Sequence, residues 1–244
     1  MISIRDLALF ADIAPATLMK DLKQASLMPL LVGSKAFLSP EDTRSYLAGR
    51  NLLPQKQTLS LQMLKGGVAK TTTALNLGIR ANMYGSRVLL VDLDQQANFS
   101  FAFSVGDPDA LVWADIADGQ TTIKDTIRQI TPTLHLVPSN LNNSVLERIF
   151  ATGKKNVAKA ISDHLSHIKD DYDLIILDTA PNISAINTAA ACASDVVILP
   201  VMPDKFSISG MQKTLADLAD IRNSFGVKFE SKILFTKFDG RETA

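Results

Sequence analysis

The 244-residue chain carries 25 basic and 25 acidic side chains, and 46% of its residues are hydrophobic. That length and apolar content suffice for one large core, or for a mid-sized core plus a small one, and exclude global disorder. Balanced charge excludes a histone-like binder that works through its overall field, so any attraction to a polyanion must come from a local patch.

The N-terminus MISIRDLALF carries charge at its fifth and sixth residues and lacks a signal-peptide pattern. No run of about 18 apolar residues occurs, so no membrane partner is expected. The one cysteine, Cys192, lies in the run AAACAS, which reads as a helix face packed in the core. It allows no intrachain disulfide, and a cytoplasmic setting is expected.

Residues 1–56 read as one domain, set apart by the proline and polar residues of NLLPQKQT at 51–58. SIRDLALFADIAPATLMKDLKQASL predicts a short helix, a turn around Ile13, Ala14 and Pro15, and a second helix with Leu18 and Leu22 four apart. This is a helix-turn-helix pattern. Two short apolar stretches then flank Gly33, Ser34 and Lys35 like a small wing hairpin, and Ser39 caps a helix that has Pro40 at its first position.

From Leu59 the runs at 59–64, 87–94, 134–138, 173–178, 195–201 and 232–237 are short, rich in β-branched residues and almost continuously apolar, as strands buried on both faces are. Helical patterns at 70–84, 154–168, 183–193 and 207–223 lie between them. Residues 57–244 are therefore expected to form an α/β domain with a doubly wound, mainly parallel sheet.

MLKGGVAKTTTALNLG, at 63–78, joins the first strand to the first long helix, the context of a phosphate loop. Gly66 and Gly67 let backbone N–H groups turn toward phosphate oxygens, and the following helix offers its positive end to the same anion. Lys70 can reach the β- and γ-phosphates of a nucleotide, and the Thr71 hydroxyl suits Mg2+. Two positions depart from the standard G-x-x-x-x-G-K-[ST] pattern: Leu64 and Ala69 replace its glycines. Alanine at 69 costs little if φ there is negative and more if it is positive.

RVLLVDLDQQAN places Asp92 and Asp94 at the C-terminal end of a strand, the edge where open α/β sheets bind ligands. Two carboxylates spaced two apart point to one side and suit magnesium or an attacking water; capping the strand end is the plainer alternative. YDLIILDTAP is an apolar strand ending in Asp178, a carboxylate placed to hold a magnesium-bound water.

KGGVAKTT resembles the deviant Walker A loop, K-G-G-x-G-K-[ST], of the ParA/MinD family of partition and positioning ATPases. DLDQQ resembles that family's D-x-D-P-Q with Gln95 in place of proline, and LDTAP its Walker B strand. With LPVMPDKFSISGM and LFTKFDGR these motifs follow the family order across roughly residues 58–244.

The resemblance implies an ATP- and Mg2+-dependent sandwich homodimer in which Lys65 reaches across to the partner's phosphates, so leucine at 64 is expected. It implies ATP contacts from Lys65, Gly66, Gly67, Val68, Ala69, Lys70, Thr71 and Thr72. Pro203, Thr236 and Lys237 are implied to line the adenine pocket. Lys65, Lys70 and Asp94 carry the chemistry; Thr71 and Asp178 hold the metal, with Asp92 in support.

The implied function is DNA partition by slow hydrolysis stimulated by a ParB-type partner, with nonspecific DNA binding and association with the nucleoid. A MinD-like positioning ATPase, or a nucleotide-sensing transcriptional regulator with little turnover, are the alternatives. Members of the family usually continue several dozen residues past FDGR, so the C-terminal end is expected to be missing.

The first 56 residues resemble MerR-type winged helix-turn-helix domains, and large plasmid partition ATPases carry an N-terminal unit of this kind that binds operator DNA and represses their own operon. Thr17 and Lys20 would meet bases, Lys23 phosphate, and Lys35 with Ser34 at the wing tip the backbone. The seven basic and five acidic residues of this unit give only a slight excess, and a dimerising or docking cap is the competing reading. Trp113 reads as part of a packing helix, and His135, His164 and His167 as surface residues without a metal-ligand pattern.

Overall fold

A computed structural model describes residues 1–152 and 156–237. The strand β1 (Ile2–Ser3) leads into α1 (Ile4–Phe10), which Ser3 caps by accepting the Asp6 N–H at 3.1 Å. The helix α2 (Pro15–Gln24) starts on Pro15 and buries Leu18 and Leu22 completely. The strands β2 (Leu30–Val32) and β3 (Lys35–Leu38) form the expected hairpin, in a three-stranded sheet ordered β1-β3-β2. In α3 (Pro40–Gly49), Ser39 accepts the Asp42 N–H at 3.0 Å. Ile2, Leu7, Leu38 and Leu47 complete a small separate core.

The larger sheet begins with β4 (Gln57–Leu61), followed by α4 (Lys70–Met83), β5 (Val88–Asp92), α5 (Asn98–Ala102), α6 (Trp113–Asp118) and α7 (Ile123–Thr126). Next come β6 (Arg128–Thr131), β7 (Leu134–Val137), α8 (Leu146–Thr152) and α9 (Ser162–Leu165). The chain closes with β8 (Leu174–Asp178), α10 (Ala185–Cys192), β9 (Val196–Val201), α11 (Lys205–Phe225) and β10 (Glu230–Phe235). Seven strands lie in the order β10-β9-β4-β8-β5-β7-β6, all parallel to their neighbours except β6. The doubly wound, mainly parallel sheet is thus present, and the register pairs Leu61 and Asp92 with Asp178. Three strand ends that carry the phosphate loop and the two acidic motifs meet at one edge.

Several local expectations are corrected. The strand β6 was not foreseen: it is a half-exposed antiparallel edge, where continuous hydrophobicity is not required. The helix expected at 154–168 is, among the described residues, a 3-10 turn (Val157–Lys159) followed by the one-turn α9. Ser166 there bonds the Asp163 carbonyl at 2.6 Å, a side-chain bond that competes with helix propagation. Ile161, Leu165 and Ile168 still bury an apolar stripe.

Trp113 is fully buried, but His164 is half-buried with its ring edge-on to it at 6.1 Å, and His135 is half-buried with Nδ1 2.8 Å from the Tyr172 hydroxyl. Only His167 of the three is exposed. Cys192 ends α10 half-buried, and burial pushes its thiol up to about 11. Of the tail motif LFTKFDGR, the residues from 238 on lie outside the described residues, and no described helix is long and apolar enough to cross a membrane.

The small unit is seated on the far end of α4. Met83 and Tyr84 pack against its core, and the Phe10 and Tyr84 rings stand 4.8 Å apart. Arg44 pairs with the buried Asp173 and donates to the Gly85 carbonyl at 3.1 Å. Gly85 has φ +83°, and a Cβ on it would lie 2.6 Å from the Arg44 nitrogen, so this corner admits no side chain.

Candidate nucleotide and metal site

The loop between β4 and α4 wraps the start of the helix, and its geometry answers what the sequence left open at Ala69. That residue adopts φ 69° and ψ 32°, a left-handed conformation, immediately before Lys70. Gly67, with φ +74°, shares that region without a side-chain penalty, whereas the alanine methyl costs on the order of 1 kcal/mol. The first-turn N–H groups of α4 are thereby aimed outward at a cavity of about 580 Å3.

Gly66, Gly67, Ala69, Lys70, Thr71 and Thr72 line this cavity from the loop side. Asp94, Pro181 and Lys237 line it from the other strand ends. Gln96, the last residue of the DLDQQ motif, also lines it, as do Asn98 and Leu75, none of which was among the expected site residues.

The remaining expected residues take other positions. Val68 is fully buried behind the loop; its carbonyl accepts the Thr236 hydroxyl at 3.0 Å, and the Gly67 carbonyl accepts Lys237 Nζ at 3.0 Å. Thr236 and Lys237 therefore brace the back of the phosphate loop. Pro203 is exposed and absent from the lining. Lys65 is also absent from it: its ammonium lies on Asp204, 2.8 and 2.9 Å from the two carboxylate oxygens.

Beneath the loop three carboxylates have different surroundings. Asp92 is fully buried and accepts the Ser100 N–H at 2.9 Å, the Ser100 hydroxyl at 2.7 Å and the Asp94 N–H at 3.2 Å. It holds the Asp94 turn in place and has little acceptor capacity left for a metal. Asp94 accepts the Gln96 N–H at 3.0 Å, and its carbonyl takes the Ser139 hydroxyl at 2.7 Å.

Asp178 is buried with neither oxygen in a completed hydrogen bond among the described residues, although Thr71 and Lys70 lie close enough to stabilise its charge. Burial pushes the carboxyls of both Asp92 and Asp178 up to about 7, the negative charge of Asp178 adding to the effect at Asp92. Lys70 is buried, and desolvation lowers its ammonium from the ordinary lysine range, against the pull of Asp178 and Asp94.

A buried carboxylate without a partner is costly unless a cation arrives, and the set of Asp178, the Thr71 hydroxyl and Asp94 offers hard oxygen donors. These residues fit Mg2+. The cavity above, lined by the glycine-containing loop, the start of α4 and Lys70, fits a polyphosphate.

Residues 56–231 match the family described as an AAA domain (AAA_31). The virulence-plasmid ParA family protein of Chlamydia psittaci is 32% identical over 192 residues, covering 77% of this chain and 71% of that protein. This chain belongs to the ParA family. A ParA family protein of Chlamydia pneumoniae is 32% identical over 64% of the chain and 63% of its own length. A putative replication protein A of Rhizobium rhizogenes is 32% identical over 80% of the chain. The chain spans 54% of that protein's length.

Among solved structures, a plasmid partition protein from Borrelia burgdorferi shares the fold with a TM-score of 0.70 at 21% identity, over 78% of this chain and 83% of that one. Cobyrinic acid a,c-diamide synthase from Mycobacterium smegmatis, solved with an ATP analog and magnesium, has a TM-score of 0.71 at 25% identity over 77% of each chain. The ParA-family fold thus extends over the strands and loops that build this cavity.

Proposed function

We propose that this ParA-family chain binds ATP with Mg2+ in the 580 Å3 cavity and hydrolyses it to drive a cycle of dimerisation that partitions DNA. The observation that carries this reading is the buried Asp178 carboxylate, which has no completed hydrogen bond among the described residues and lies beside Thr71 and Lys70. Bound Mg2+ would be held by Thr71 and Asp178 and would neutralise phosphate charge during transfer.

The protein's own part is positioning. N–H groups of the loop and of α4 hold the phosphates, Lys70 neutralises the oxygens that gain charge, and Asp94 orients the water that attacks the γ-phosphorus to release ADP and phosphate. Asp92 keeps Asp94 in that orientation through the turn it anchors. Lys65 from each subunit completes the other's site in the homodimer, and a ParB-type partner stimulates hydrolysis.

DNA binding by the N-terminal unit is supported by the exposure of Thr17, Lys20 and Lys23 on α2 and of Lys35 on β3. Asp21, the acid among them, is turned to Arg50 at 2.9 Å and to the Tyr46 hydroxyl at 3.1 Å, which leaves the lysines to set the local charge. Operator binding and autorepression belong to this unit, and nonspecific DNA binding to the ATP-bound dimer on the nucleoid. A regulator that senses nucleotide with little turnover is the second reading, favoured by the seating of the unit on α4, the helix that begins at the phosphates.

Gel filtration of wild type and Asp94→Ala with ADP and with ATP tests the first reading, the expected result being an ATP-dependent dimer that lives longer in the variant. Absence of nucleotide binding, or hydrolysis unchanged by Lys70→Ala, overturns it. Tight operator binding without turnover, even with the partner present, supports the regulator instead.

A further inference from the structure

The segment 63–65 lies along the first turns of α11. Leu64 donates its N–H to the Thr214 hydroxyl at 3.3 Å, and a Cβ built on Gly210 would stand 3.3 Å from Met63 Cε and 3.6 Å from Lys65 Cβ. A methyl group at 210 would press on the end of Met63 and come into ordinary contact with Lys65, so the lysine runs close against the helix.

At the end of that path Lys65 Nζ meets both oxygens of Asp204, at 2.8 and 2.9 Å, and the Ser207 hydroxyl at 3.1 Å. Asp204 also accepts the Ser207 N–H at 2.9 Å and its hydroxyl at 2.8 Å. An ammonium has three donors, and all three find acceptors here. Lys65 and Ser207 together hold the Asp204 carboxyl well below the usual carboxylate range.

We propose that Asp204, with Ser207, is a positioning residue that parks Lys65 on its own subunit and must release it when a second copy closes the nucleotide site. This rests on the reading of Lys65 as the lysine that crosses between subunits. A lysine with its donors satisfied at home has none to offer a partner's phosphate, so assembly exchanges a carboxylate for a phosphate at Nζ. Asp204 and Lys65 are each about one-third exposed, at 33% and 31%, so water can replace each partner as the pair opens. The latch therefore raises the threshold for assembly while remaining breakable by a doubly or triply charged phosphate.

The test uses the full chain and Asp204→Asn, which keeps a good helix cap for α11 and removes the charge. Dimerisation is followed by sedimentation with Mg2+ and a non-hydrolysable ATP analogue in wild type, Asp204→Asn, Lys65→Ala and the double variant. Releasing an exposed ion pair favours opening by about twofold to fivefold per subunit. Two latches open per dimer, so the protein concentration at half-assembly should fall by about four- to twenty-five-fold. The substitution should have no such effect when Lys65 is already alanine.

A half-assembly concentration that is unchanged or higher in Asp204→Asn, or an equal fall in the Lys65→Ala background, overturns the proposal. A wild type that does not assemble overturns the dimer reading instead. In that case acetylation of nucleotide-free protein, read at Lys65 by mass spectrometry, decides the latch alone: several-fold faster labelling in Asp204→Asn supports it, and equal rates overturn it. Ser207→Ala provides a second variant and should speed labelling in the same direction.

Discussion

At Ala69 a methyl group occupies a backbone conformation that favours glycine, with φ 69°. The Ala69→Gly substitution removes this strain, although glycine also loosens the unfolded chain. The expected net outcome is stabilisation by about 1 kcal/mol or less, seen as a raised midpoint of thermal unfolding. Because Lys70 follows directly, nucleotide affinity should hold or tighten in the same variant. A lowered midpoint would mean that the methyl makes contacts worth more than its strain.

Asp178 makes the opposite prediction for stability and binding. Its carboxyl, raised from 3.8 to about 7 by burial, contributes stability at low pH that is lost as pH rises through about 7. Above that range the nucleotide-free protein carries a buried negative charge that Lys70 and Thr71 offset only in part. Asp178→Asn should therefore stabilise the nucleotide-free protein at pH 8 by about 1 to 3 kcal/mol while weakening Mg2+-dependent nucleotide binding at least about tenfold. In wild type, Mg2+ must displace the proton that Asp178 holds near 7, so its binding should weaken by about tenfold from pH 8 to pH 6, measured by titration at fixed nucleotide.

Among the elements, α4 bears on both ends of the molecule. Its 14 residues span roughly 21 Å, from Lys70 at the cavity to Met83 packed against the small unit's core. Gly78 in its middle would place a Cβ 2.5 Å from Leu90 Cδ2, so glycine there sets how closely the helix lies on β5. At its end, Gly85→Ala combines a positive φ with a collision against the Arg44 backbone. It should loosen α3 from this corner, and limited proteolysis between residues 50 and 56 should become several-fold faster. Unchanged cleavage would show that the Arg44–Asp173 ion pair and the Phe10–Tyr84 contact hold the units together without that corner.

At the scale of the whole molecule, the two cores are joined by an ion pair to a buried carboxylate, a ring contact and a helix end, so they should unfold as one. The chain has a single tryptophan, and Trp113 lies in the core of the large sheet, so its fluorescence reports that unit alone. Fluorescence and far-ultraviolet circular dichroism should give coincident denaturant midpoints in wild type and separate ones in Arg44→Ala. Separate midpoints in wild type would show two independent units.

The sequence by itself determined the features that are written in short stretches of chain. Continuous apolar runs gave a parallel sheet, and the Gly66–Lys70–Thr71 spacing after a strand gave the phosphate loop. Ser39 marked a helix start, because helix capping and strand burial depend on neighbours a few residues away.

What only the tertiary structure decided depends on distant partners. Lys65 and Asp204 are 139 positions apart, and no local pattern says that one satisfies the other. The sign of φ at Ala69 follows from how the loop closes between β4 and α4. The burial of Asp178, with neither oxygen in a completed hydrogen bond among the described residues, follows from three strand ends meeting in register. The edge strand β6 is half-exposed and so lacked the apolar signature of its neighbours. Chemistry that needs a residue type at a spacing is legible in one dimension, whereas the charge, strain and reach of that residue are properties of the packed site.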